Sequence, residues 1–516
     1  MDLILINGNV ITMSVPTQRQ QAVAISQGRI AAVGSTQGML RLRTSASRVV
    51  DLQGKTVLPG LIDSHAHAFL TGVSSISVQL GAATTVAEVC DAVRAKAAAT
   101  PPGKWVYGMG CEPWALRERR FPGLAELDRA APDNPVYIAA ATFHSGAANS
   151  PGMGLIAAEP DLPGLARDPK TGEATGSFLS DTAHFFAVGR AYAGLGDAEI
   201  AALYRHTASL AASRGVTTLH CLDGQFVEGD KDVAVLRRLA PELPVHTVLM
   251  YQTMDVDRVL ELGLPRIGGC LTLDGSAFDH TALYYEPYAD DPARCGDLYI
   301  PEDTVRAFVM SAHQAGLQIG MHAIGDRAVD ILVNAYAEAQ ATYPREDCRH
   351  RVEHFITPTE SAVETAGRLG LALMMQPIFT YGWNPEYIYF LGEERAARSD
   401  PFGQLCRAGH VVAGGSDSPV TEIDPLLGIQ SAVNNPNPLR RASVEDALRM
   451  FTINGAWAAF EEKAKGTLEP GKLADIVVID RDPYAEPDHI DEFSVEMTLL
   501  AGEIVFSRQG EGAEVH

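Results

Sequence analysis

The chain has 516 residues, with 46% hydrophobic and 20% charged, enough for a large core and the balance of a globular protein rather than a disordered or fibrous one. A formal net charge of −23 argues against nucleic acid and anionic membrane surfaces as partners, because both select basic patches. Seven cysteines, an odd number with no close-spaced C-x-x-C pair, fit free thiols in a reducing compartment and not a disulfide framework.

The N-terminus, Met1 to Gly8, lacks a basic region and a long apolar run, so it reads as a strand and turn and a cytoplasmic location is expected. No apolar run in the chain is long enough to span a bilayer. Residues 1 to about 58 read as short strands (Leu3 to Ile6, Ala22 to Ile25, Ile30 to Val33, Val49 to Leu52) separated by turns at Asn7-Gly8, Gln27-Gly28 and Gln53-Gly54. Pro59-Gly60 is a turn signal, and Leu61-Ile62 begins a short apolar run of the kind a buried parallel strand shows. Residues 73 to about 200 do not alternate cleanly and are taken as a long insertion, with loops such as Pro151 to Gly176 available to cover a site. Beyond it, strands and helical stretches alternate. The strands are Gly215 to His220, Leu317 to His322, Arg351 to His354, Leu371 to Met375 and Val411 to Gly414, and helices fill Ala201 to Ser213 and Ala328 to Ala341. Repeated alternation over this length predicts a parallel sheet closed as a (β/α)8 barrel. Residues 466 to 508 are strand-rich again, through Ala474 to Asp480, Glu496 to Leu500 and Ile504 to Phe506, so the two ends are expected to form one small sheet domain with the barrel inserted between them.

Polar residues cluster at the C-terminal ends of these strands, where barrel enzymes place their active sites. His65 and His67 are two apart, so on a strand they point the same way, and imidazole is the commonest protein metal ligand. His220, Cys270, His322, His354 and Asp417 occupy similar positions. One such histidine is more often a hydrogen-bonded structural residue, but several at strand ends in one domain favour a metal site. His350 and His354 have the spacing of a helical zinc pair, which the strand-like Arg351 to His354 argues against. His144, in the insertion, fits a structural role and a substrate contact equally well.

The segments LPGLIDSHAH, LDRAAPDNPVY with HSGAANS, SRGVTTLH, DGSAFDHTALYYEPYADDP, MHAIGDRAVD, RVEHFITP, GGSDSPV, FTINGAWA and GTLEPGKLADIVVID resemble, in order and over the whole chain, the amidohydrolase superfamily. Within it they are similar to the branch of YtcJ-like hydrolases and N-substituted formamide deformylases. The resemblance implies a distorted (β/α)8 barrel over 59–465, with a β-sandwich made from 1–58 and 466–516. It implies that His65 and His67 bind the more buried metal, His322 and His354 the second or only metal, and that Asp417 is both ligand and proton-handling base. It also implies a homodimer. Two departures stand out. Many relatives carry a metal-bridging lysine where this chain has Cys270, whose thiolate is a strong zinc ligand and is used so in D-aminoacylases; the alternative is an inert buried thiol and a single metal. Relatives also place an acidic residue soon after Thr175-Gly176, and here Ser180 or Asp181 could align. The expected protein is a hydrolase with one or two Zn²⁺ ions per chain, cleaving a C–N bond in a small-molecule amide, formamide or cyclic amide. A deaminase or a C–C or C–O hydrolase on the same scaffold is the alternative enzyme, and a catalytically inactive metal-binding regulator is the alternative outside enzymes.

Overall fold

The structure, a computed structural model, describes residues 1–14, 17–159 and 161–508. The end of the expected sandwich segment, 509–516, lies outside the described residues. No helix among them is long and apolar enough to cross a membrane.

Parallel strands carry the centre of the chain. A three-stranded sheet is built from β1 (Leu61–Ala66), β2 (Val216–Cys221) and β3 (His246–Leu249), and a five-stranded one from β4 (Arg266–Ile267), β5 (Gln318–Ala323), β6 (Arg351–His354), β7 (Ala372–Met375) and β8 (Val412–Gly414). Every neighbouring pair within these two arcs is parallel. The arcs are joined at both ends by isolated parallel bridges, Tyr251 with Ile267 and Ala66 with Ser418, so the pairing order closes on itself. Helices follow the strands, among them Glu302–Gln314, Asp326–Thr342 and Glu360–Leu369, and their apolar faces pack on the outer side of the strands in one core. The expected strands are present within a residue or two. β3 and β4 are additional. β4 is two residues long and carries no periodicity that a sequence window can register.

Pro59-Gly60 is not a turn. Thr56–Pro59 and β1 are both strands, separated only by Gly60. The first pairs antiparallel with Ile476–Ile479 and the second pairs parallel with β2. A Cβ on Gly60 would lie 2.2 Å from Thr217 Oγ1, so the glycine is required by close packing where the chain passes from one sheet into the next.

Strands from both ends of the chain share a six-stranded sheet, ordered Glu503–Ser507, Val495–Leu500, Ile476–Ile479, Thr56–Pro59, Asn9–Ile11, Arg19–Gln20. A four-stranded sheet from Arg29–Gly34, Ala22–Ser26, Leu3–Ile6 and Arg48–Asp51 packs beside it, with Leu5, Val23, Val57, Ile476 and Leu499 in one buried cluster.

The stretch expected to be a long insertion with covering loops is a sheet of its own. Its six strands run in the order Leu165–Arg167, Ala174–Phe178, Gly146–Ala148, Val136–Ala140, Val106–Cys111, Val78–Gln79, with parallel and antiparallel pairs mixed. Mixed pairing is why the stretch shows no clean βα alternation. Pro151 to Gly176, expected as loops, contains most of the helix Ser150–Ile156, the strand Leu165–Arg167 and the start of Ala174–Phe178. None of its described residues lines the site cavity; Thr142, Phe143, His144 and Phe185 do.

Candidate metal centre

β1 ends in His65-Ala66-His67, and the chain after β8 runs Gly415-Ser416-Asp417. These two ends are stitched together. Asp417 N donates to His65 O at 2.7 Å, and Asp63 accepts from Ser416 N at 2.9 Å and from Ser416 Oγ at 2.6 Å. Burial pushes the Asp63 carboxyl up to about 6 against those hydrogen bonds. A Cβ on Gly415 would lie 2.6 Å from His65 Cβ, so only glycine lets the two ends approach this closely. The result is that Asp417 Oδ1 sits 3.2 Å from His65 Nε2 and 3.3 Å from His67 Nε2.

Cys270, just beyond β4, brings a thiol to the same place. Its Sγ is 3.8 Å from His322 Nδ1 and 3.6 Å from His354 Nε2. Tetrahedral zinc with Zn–N of about 2.0–2.1 Å and Zn–S of about 2.3 Å has ligand–ligand edges of about 3.3–3.7 Å, so these separations are those of donors ready to share an ion. Two donor groups result, His65 with Cys270 and His354, and His65 with His67 and Asp417, and His65 belongs to both.

The test of whether a cation fits is where the other ring nitrogens go. His65 Nδ1–H donates to Glu353 Oε2 at 2.7 Å, His67 Nδ1–H to Leu222 O at 2.7 Å, and His354 Nδ1–H to Gln376 Oε1 at 2.9 Å. His322 is reversed: its Nε2–H donates to Gly275 O at 3.3 Å and leaves Nδ1 toward Cys270. Each ring therefore turns its second nitrogen inward, an arrangement typical of metal-bound imidazole. His65 Nε2 and Asp417 Oδ1 are buried and make no well-aligned hydrogen bond although 3.2 Å apart, a state that costs free energy unless a proton or a metal cation lies between them.

Electrostatics agree. Burial pushes the Cys270 thiol up, but His65, His322 and His354 beside it outweigh that and hold it well below its usual range. Burial likewise opposes ionisation of Asp417, and His65, His67 and His354 hold it well below the usual carboxylate range. Two anionic donors among imidazoles make a cage suited to a cation. His354 and Asp417 both have positive φ, 74° and 57°, conformations costing about 1–3 kcal/mol for such residues and concentrated at functional sites.

His220 is turned to Arg351 instead: its Nδ1 accepts from Arg351 at 3.0 Å, and burial together with that guanidinium holds it well below the usual imidazole range. His350 is not a partner of His354 either; its Nε2 lies 2.9 Å from His313 Nδ1 and its Nδ1 accepts from Ile319 N. His144 reaches the cavity, with its ring 5.2 Å from that of His322 and its Nδ1–H donating to Asp181 at 2.8 Å. Of the two residues after Thr175-Gly176, Asp181 is thus turned toward the site, whereas Ser180 caps the following helix.

Sequence reasoning passed over Arg351 and Glu353. Both are fully buried; Arg351 donates from Nε and Nη2 to the two Glu353 oxygens at 2.7 and 2.9 Å, and Glu353 in turn accepts from His65. The available signal was two opposite charges two residues apart, and so on one face, of a strand predicted to lie in a parallel sheet.

The fold and the donor set define a metal-dependent hydrolase. A metal-dependent hydrolase from Pyrococcus furiosus has a similar fold, with a TM-score of 0.74 and 28% identity over 93% of this chain and 99% of that one. The chain belongs to the amidohydrolase family, whose family model matches residues 48–506. Among its relatives, N-substituted formamide deformylase of Arthrobacter pascens is 28% identical over 99% of both chains. LONG AFTER FAR-RED 3 of Arabidopsis thaliana is 31% identical over 98% of this chain and 91% of that one.

Proposed function

We propose that the protein is a zinc-dependent amidohydrolase: a distorted (β/α)8 barrel over 59–465, with a β-sandwich from 1–58 and 466–508, that hydrolyses a C–N bond in an amide, N-substituted formamide or cyclic amide. The observation that carries this is the convergence of His65, His67, Cys270, His322, His354 and Asp417, each with a ligand atom turned to one small region. These residues would hold one or two ions, and the soft thiolate favours zinc over magnesium or calcium. When bound, such an ion polarises the substrate carbonyl and lowers the pKa of water to about 7. Asp417, anionic and facing the cavity, takes the proton from the attacking water and returns it to the leaving nitrogen, so that C–N cleavage yields a carboxylic acid and an amine. His354 contributes a donor nitrogen beside it, fixed by Gln376. His144, fixed by Asp181, is a second polar contact for the substrate. Homodimerisation belongs to the same reading and is tested by light scattering.

The test is a panel of amides, formamides and cyclic amides offered to the zinc-loaded protein and to the protein treated with chelator. Turnover confined to the zinc-loaded form supports the reading. No C–N cleavage at full zinc occupancy, or turnover indifferent to chelator, overturns it.

A further inference from the structure

His144 does not belong to the barrel. It stands on the tip of a hairpin in the separate six-stranded sheet, where Val136–Ala140 and Gly146–Ala148 pair antiparallel and residues 141–145 connect them. The connection is tight: Ala140 N donates to Ser145 O at 2.9 Å, and Phe143 N donates to Ala140 O at 3.1 Å. Phe143 takes a φ of 60°, a left-handed conformation unfavourable for a residue with a Cβ, so the surroundings must hold the bend. They do so from two sides. Within the sheet, Phe143 is buried edge-on to His184, at 4.8 Å between ring centroids. From the segment after β4, Asp279 accepts from Thr142 Oγ1 at 2.6 Å and from Ser145 Oγ at 2.7 Å, one carboxylate oxygen to each. The two hydroxyls bracket Phe143-His144, so one side chain grips the pair at both ends. That segment is itself tied to the barrel: Asp274 accepts from Leu283 N, Ile324 N and Gly325 N at 2.8, 3.0 and 2.8 Å, the last two just past β5 and its His322. Thr142 and His144 line the cavity, whereas Asp279 and Ser145 are not among the described residues that do.

We propose that Asp279 is the positioning residue for His144: its carboxylate grips the hairpin on both sides of that histidine and sets where the imidazole stands beside the metal centre. This rests on the reading of His144 as a polar contact for the substrate. Asp181 fixes the rotation of the ring through Nδ1–H, and Asp279 fixes the backbone beneath it. Without Asp279 both hydroxyls lose their acceptor, the tip relaxes out of its left-handed bend, and His144 shifts. A shift of about 1 Å at a group that contacts the reacting atoms costs up to about a hundredfold. Asparagine at 279 keeps the grip, because a hydroxyl accepts from an amide N–H as well as donating to a carbonyl oxygen. The role therefore depends on the shape of residue 279 and not on its charge.

The test uses the cobalt-loaded full chain and acetohydroxamate, a metal chelator of amide shape, with binding read from the cobalt absorption spectrum. No turnover is required, so the outcome stands apart from whether a C–N bond is cleaved. His144→Ala and Asp279→Ala are each expected to weaken binding about tenfold. The double variant should bind no more weakly than His144→Ala alone, the non-additivity of two residues that act through one contact. Asp279→Asn is expected to stay within about twofold of wild type. Ser145→Ala removes one arm of the grip from outside the cavity and should lose about threefold. Cobalt content and unfolding midpoint are measured on every variant. Three results each overturn the proposal while leaving the His144 contact standing: Asp279→Ala binding like wild type, additive losses in the double variant, or Asp279→Asn as weak as Asp279→Ala. If Asp279→Ala does not fold, Ser145→Ala decides in its place, and wild-type binding by it overturns the proposal. Wild-type binding by His144→Ala overturns the His144 contact and the role of Asp279 with it.

Discussion

Glu353→Gln separates the positioning of the metal centre from its ligands. The substitution keeps shape and removes charge from a group that no solvent reaches. Two consequences follow from the geometry. Arg351, also fully buried, loses the carboxylate that two of its N–H groups address, and stranding a buried charge costs about 3–5 kcal/mol. His65 loses the carboxylate that fixes its Nδ1–H, which lowers zinc affinity about 10–100-fold, or about 1.4–2.7 kcal/mol. The first effect is read by denaturant unfolding with metal removed, and the second by competition between the protein and a fluorescent chelator. The double variant Arg351→Met, Glu353→Gln removes the stranded charge and is expected to regain part of the stability while zinc affinity stays low. An unfolding free energy of Glu353→Gln within about 1 kcal/mol of wild type, together with a zinc affinity within about twofold, would refute the reasoning.

Asp417→Asn is expected to stay folded and lower kcat by about 10²–10⁴, with zinc content measured alongside; near-native turnover with zinc retained would remove Asp417 from the proton path. Cys270→Ala is expected to lose zinc as well as activity, and X-ray absorption of the wild type should show a sulfur neighbour at about 2.3 Å. Full zinc occupancy in the variant and no sulfur in the wild type would make Cys270 an inert thiol. Truncation before Ile476 removes the strand paired with Thr56–Pro59 and the buried partners of Leu5 and Val23, so insoluble protein is expected; a soluble, stable product would argue against a shared terminal domain. Burial holds His184 and His350 near a pKa of about 3 in the folded chain, against about 6.5 when unfolded. The unfolded state therefore binds more protons below pH 6.5, and stability falls from there down to about pH 3, by about 1.4 kcal/mol per pH unit for each group. His184→Phe should reduce that slope between pH 6 and 5 by the share of one group, and an unchanged slope would show that His184 is not neutral in the fold.

The sequence by itself determined where the reactive ends lie. His65 and His67 at the close of an apolar run, Asp417 past a short strand, and the alternation from Val216 to Gly414 are local patterns, set by which faces a strand must bury, and they need no knowledge of neighbours. Cys270 was read as a strand-end residue and its ligand role came from the resemblance, since two-residue β4 offers no period to read. Only the tertiary structure decided that its sulfur lies within 3.6–3.8 Å of two imidazoles, because this depends on how β4, β5 and β6 pair. The same holds for the Arg351–Glu353–His65 chain and for the sheet formed by 78–178, whose strands meet out of sequence order. Orphaned donor atoms and the walls of a cavity arise from segments hundreds of residues apart, and no periodicity within one segment records which partner closes against it.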